Sequence, residues 1–156
     1  MNRQVSPIEI LLVEDNEGDI ELTKEAFAES KVSNTIHTAM DGEQALRFLY
    51  RQPPYQAAPL PDVVLLDINL PKIDGREVLE TIKNDPVLSK IPVVMLTSSD
   101  AERDIIKSYQ MHANCYVTKP VNLEKFLEVV RSVEEFWLSV VKLPTSGMLP
   151  KRSEAA

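Results

Sequence analysis

Five short runs of apolar, largely β-branched residues punctuate the chain at 8–13, 34–39, 62–66, 91–96 and 114–117, each followed by a segment of helical periodicity. Strict alternation of this kind is the pattern of βαβ units, which fold into a parallel sheet covered by helices. The first, third and fourth runs (IEILLV, DVVLL, IPVVML) are almost unbroken hydrophobics, as expected of central strands buried on both faces. Between the runs, residues 18–30 carry Ile20, Leu22, Thr23, Ala26 and Phe27 at helical spacing, 42–50 carry Ala45, Leu46 and Leu49, 75–84 carry Val78, Leu79 and Ile82, and 101–111 carry Ile105, Ile106 and Tyr109. The helix at 75–84 is expected to stop before Pro86, and a last helix at 123–141 closes the series. Five βα units with right-handed crossovers predict an α/β fold with a doubly wound sheet, whose ligands gather beyond the carboxyl ends of the strands.

A chain of 156 residues, 44% of them hydrophobic, holds one good core and divides poorly into two. The expected organisation is a short N-terminal segment (1–7), one domain (8–141) and a small, polar, frayed tail (142–156). The stretch 52–61 (QPPYQAAPLP) reads as a proline-rich surface loop and a candidate partner contact. With 17 basic against 24 acidic residues and a net charge of −7, the composition argues against a nucleic-acid partner. The single cysteine, Cys115, forms no internal disulfide; it reads as a small buried hydrophobe in a reducing compartment. No uninterrupted apolar stretch suits a signal peptide or a membrane span, so the expectation is a cytoplasmic protein without membrane contact.

Chemistry gathers at strand ends. Glu14 and Asp15 close the first run, Asp67 closes the third, and Asn69 follows two residues later. If the first and third strands are neighbours, these carboxylates converge, and converging carboxylates repel unless they share a cation. An all-oxygen site with room for water suits Mg²⁺ better than zinc. Singly, each acid has an ordinary alternative: Asp15 as a helix cap, Asp67 as a strand end entering a turn. Thr97 ends the fourth run and Lys119 the fifth, and each also has a plain reading, as a strand-end cap and a solvated lysine. Together they surround one point with a nucleophilic carboxylate, a metal, an ammonium and a hydroxyl. Such a set can form an aspartyl phosphate, because phosphoryl transfer needs positioning and neutralised charge more than covalent machinery.

The motifs LLVEDN, LLDINLPKIDG, VVMLTSS and YVTKP, in this order, resemble the receiver domains of two-component response regulators over roughly residues 8–141. The resemblance implies a flavodoxin-like strand order 2-1-3-4-5 and a phosphoacceptor at Asp67. It implies Mg²⁺ held by Glu14, Asp15, Asp67 and the Asn69 main-chain carbonyl, with Mn²⁺ or Ca²⁺ as substitutes. Thr97 and Lys119 would bind the phosphoryl group, and Tyr116 would be the switch aromatic that turns as the Thr97 hydroxyl is drawn inward. The bond before Pro120 would be cis, aiming Lys119, and Asn69 and Ser99 would set the lifetime of the phosphate. Two departures from the family pattern are Ser98, where a small residue usually follows the threonine, and the pair His112 and Ala113 in place of a glycine before the fifth strand. His112 reads as a loop residue and His37 as packed or edge-facing, since neither has a companion imidazole or thiol. The proline-rich loop, NLPKIDGREVLETIKNDP, HANCY and EEFWL are similar to the small regulators that serve cyanobacterial and bacterial phytochromes, which implies a light-sensing histidine kinase as phosphodonor.

After Pro144 only Lys151 and Arg152 are basic, so output is expected from the receiver itself. The last helix carries one apolar stripe of Leu123, Phe126, Leu127, Val130, Trp137 and Val141 and a second of Val129, Val133, Phe136 and Val140. One stripe covers the sheet. The other is a wide core-facing arc or, as expected here, the face of a C₂ homodimer. Two rival readings remain open at this point. One is a phosphorelay intermediate or phosphate sink serving a histidine phosphotransfer protein. The other is a Mg²⁺-dependent phosphatase with an aspartate nucleophile, whose general acid belongs where Asn69 stands. A nucleotide-binding domain fares worse, since no G-x-G-x-x-G follows the first strand and four glycines overall leave little for one.

Overall fold

A computed structural model describes residues 7–28, 33–97, 115–119 and 124, with residues 115 and 116 described by their backbone only. The elements run β1 (Ile8–Val13), α1 (Glu17–Ala28), β2 (Asn34–Ala39), α2 (Gly42–Leu49), β3 (Val63–Asp67), α3 (Gly75–Asn84), a 3₁₀ turn (Leu88–Lys90), β4 (Val93–Thr97) and β5 (Cys115–Thr118). The five strands form one sheet in the order β2-β1-β3-β4-β5, every pairing parallel. This is the doubly wound α/β architecture the sequence predicts. The helices expected at 101–111 and 123–141 lie outside the described residues. So do the stripe Val129, Val133, Phe136 and Val140, the dimer expectation built on it, Ser99, Pro120 and the expected cis bond.

Every residue of β3 and β4 is buried, as their unbroken apolar composition requires. The core packs Leu11, Val13, Leu66 and Met95 of the sheet against Phe48 and Leu49 of α2 and Val78, Leu79 and Ile82 of α3. Aspartates start both helices: Asp41 Oδ1 accepts from Gln44 N at 2.8 Å, and Asp74 Oδ1 from Glu77 N at 3.1 Å. At the head of α1 the cap is Asn16, whose Oδ1 accepts from Asp19 N at 2.8 Å, so the capping alternative for Asp15 gives way.

Local departures from the expected elements have local causes. The fourth strand begins at Val93 rather than residue 91, because Pro92 has no N–H to donate to the ladder. The third begins at Val63: Asp62 N donates to Glu9 O at 2.7 Å while Asp62 Oδ2 accepts from Glu9 N at 2.8 Å, a clasp just before the ladder. The proline-rich loop is not wholly a surface feature, since Tyr55 and Ala58 pack on the core and the Tyr55 ring lies 5.5 Å from Phe48. The Pro53–Pro54 bond in it is cis. His37 sits half-buried on the edge strand β2, 2.7 Å from Glu9 Oε1. No helix among the described residues is long and apolar enough to cross a membrane.

Candidate functional site

Parallel pairing lines up the carboxyl ends of four strands. Val13 pairs with Leu66, so the residues that follow, Glu14 and Asp67, leave adjacent strands at one level. Asp67 pairs with Leu96 and Thr97 with Thr118, and Lys119 N donates to Thr97 O at 2.7 Å. Thr97 and Lys119 therefore stand beside the acids. Glu14, Asp67 and Thr97 are 1%, 2% and 0% exposed, whereas Asp15 lies at the open rim.

The two buried carboxylates are held alike. One oxygen of each is tied to the main-chain N–H two residues on: Glu14 Oε2 to Asn16 N and Asp67 Oδ1 to Asn69 N, both at 3.1 Å. The other oxygen of each faces Lys119, whose Nζ is 3.2 Å from Glu14 Oε1 and 3.1 Å from Asp67 Oδ2. A third contact, 3.1 Å to Asp19 Oδ2, was not foreseen from the sequence. Its only signal there is spacing, since Asp19 follows Asp15 by four residues, about one helical turn.

Three carboxylates (Glu14, Asp19 and Asp67) thus meet one ammonium, and Asp15 stands beside two of them. Burial pushes the Glu14 carboxyl up to about 7, and the charge of Asp67 pushes it the same way. Burial alone would lower the Lys119 ammonium, but Asp67 and Glu14 outweigh it and hold the pKa above the usual lysine value. Glu14, Asp15 and Asp67 each offer a carboxylate oxygen, all within 4.8 Å of one another. This hard, acidic, all-oxygen set fits a divalent cation, which would lift the repulsion that raises Glu14. The Thr97 Oγ1 is buried and has no hydrogen-bond partner among the described residues, which leaves it able to donate to a ligand.

The structure thus brings Glu14, Asp15, Asp67, Thr97 and Lys119 to one place, with the Asn69 backbone bound to Asp67. It places the Tyr116 backbone in β5, opposite Met95 of β4.

The chain is similar to known proteins. A family model described as the response regulator receiver domain matches residues 10–131. Response regulator Rcp1 of Synechocystis sp. is 46% identical over 140 residues, covering 90% of this chain and 95% of its own. Its Mn²⁺-bound crystal structure superposes with a TM-score of 0.69 at 47% identity, over 89% of this chain and all of that one. The phosphorylated cyanobacterial phytochrome response regulator RcpA gives 0.71 at 49% identity over 90% and 100% of the two chains. The bacteriophytochrome response regulator AtBRR gives 0.77 at 43% identity over 82% and 93%. With a family model across most of its length and relatives of this identity along nearly all of theirs, the chain belongs to the response regulator receiver family.

Proposed function

We propose that Asp67 accepts a phosphoryl group from the phosphohistidine of a sensor kinase, and that the chain signals through the protein contacts this modification alters. The observation that carries the reading is the pairing of a buried Asp67 oxygen with the Lys119 ammonium at 3.1 Å, beside two more acids able to hold a cation. Asp67 supplies the nucleophilic oxygen; the new O–P bond forms as the P–N bond to the imidazole breaks. Lys119 lends its charge to a phosphoryl oxygen and Thr97 donates its hydroxyl to another. Glu14, Asp15 and Asp67, with the Asn69 carbonyl, would hold Mg²⁺, which neutralises phosphoryl charge when bound. Within this reading Tyr116 reports the inward move of Thr97, and Asn69 and Ser99 set how long the acyl phosphate lasts. Relatives that serve phytochromes support a light-sensing kinase as the donor.

The test is intact mass after incubation with Mg²⁺ and acetyl phosphate. The wild type is expected to gain one phosphoryl group and Asp67→Asn none, and omitting the cation abolishes the gain. A gain in both proteins, or in neither, refutes the reading.

Cation binding should depend on pH, with a sign that follows from Glu14. A proton held with a pKa of about 7 competes for the same oxygens, so affinity for Mg²⁺ rises from pH 6 to pH 8. The slope approaches about tenfold per pH unit below the pKa and vanishes above it. Calorimetric titration at several pH values measures this, and a flat profile contradicts it. The same raised carboxyl favours the cation-free fold fully below its unfolded value of 4.5, and that contribution is lost as pH rises through about 7.

A further inference from the structure

The receiver reading leaves one contact of Lys119 unexplained. A lysine ammonium has three N–H donors and no acceptor, and Glu14, Asp67 and Asp19 occupy all three at 3.1 to 3.2 Å. On the reading that Asp67 is the acceptor, on which this inference rests, two of those partners have other duties. Asp67 carries the phosphoryl group and Glu14 belongs to the cation. Asp19 has neither task. It stands in the first turn of α1, held by Asn16 Oδ1 accepting from its N–H at 2.8 Å and by the Thr23 hydroxyl donating to its carbonyl at 2.8 Å. Its side chain is 30% exposed and that of Lys119 16%, so the pair lies where the pocket opens onto α1.

We propose that Asp19 is a positioning residue for phosphoryl transfer, holding the Lys119 ammonium over the acceptor once Glu14 and Asp67 are given over to cation and phosphoryl. A lysine stem has many rotamers, and an ammonium that must find its place during transfer slows the step. Asp19 fixes that place beforehand from outside the reacting set.

The isosteric Asp19→Asn keeps the shape and removes the charge. Its rate of phosphorylation by acetyl phosphate with Mg²⁺ is expected to fall about three- to tenfold, a loss of alignment rather than of a reacting group. That loss should vanish in a Lys119→Met background, because Asp19 acts only through Lys119. A cation-free readout accompanies it: the ¹H–¹⁵N signal of the Lys119 ammonium, protected from exchange in the wild type, broadens in Asp19→Asn. An equal or faster rate in Asp19→Asn, the same fractional loss in both backgrounds, or an unchanged ammonium signal overturns the proposal. Failure of the acceptor assignment is distinguishable, because it shows in the wild type as the lack of any Asp67-dependent mass gain.

Discussion

Replacing Lys119 with Met is expected to slow phosphorylation by small phosphodonors about 10²- to 10³-fold, the usual cost of removing a preorganised charge from a developing oxyanion. The same change should tighten cation binding. Nζ stands 3.1 to 3.2 Å from oxygens of Glu14 and Asp67, two of the three acids that can hold a metal, so the ammonium and the cation compete for them. Activity and metal affinity therefore move in opposite directions, which general unfolding would not produce. Stopped-flow or mass-resolved phosphorylation, paired with calorimetric titration of Mg²⁺, checks both. A variant that phosphorylates at the wild-type rate, or binds the cation more weakly, contradicts the assigned role.

Gly75→Ala is expected to destabilise the fold by about 3 kcal/mol, the upper end for overpacking a close-packed site. A Cβ on Gly75 would collide with the Asp67 carbonyl oxygen and lie 2.8 Å from Ile68 Cα. Both are backbone atoms of the turn that presents the acceptor, so no rotamer change relieves the contact. Gly75 N also donates to Ile68 O at 3.1 Å, which ties the first turn of α3 to the end of β3. Thermal melts followed by circular dichroism should show a drop of roughly 6 to 12 °C for that loss. Gly18→Ala is the control: among the described residues the added Cβ would meet only Asn16 Oδ1, at 3.2 Å, and stability should change by less than about 1 kcal/mol. Equal melting of Gly75→Ala and the wild type would show that the turn can yield.

The fold was legible because period and composition carry it. The runs at 8–13 and 34–39 became β1 and β2 without shift, and 75–84 became α3. Strand starts were less legible, because apolar composition at Ile91 and Pro92 says nothing about which N–H groups join the ladder. The 3₁₀ turn before β4 was missed for a related reason. It is organised by one carboxylate, Asp85 Oδ1, which accepts from Val87 N at 2.8 Å and Leu88 N at 2.9 Å. In the site, residues that end strands could be read directly, since parallel pairing brings strand ends together whatever lies between them. Asp19 could not, because its place at Lys119 depends on how α1 docks against the sheet. The folding back of Tyr55 onto Phe48 likewise depends on tertiary contact, which a proline-rich composition conceals.

Borohydride reduction tests the acceptor most directly, since it converts an aspartyl phosphate to homoserine at the modified position. After treatment with Mg²⁺ and acetyl phosphate, peptide mass mapping should find a single reduced residue, at position 67. A reduced side chain at 14, 15 or 19 instead, or a phosphoryl group that resists reduction, would contradict the account.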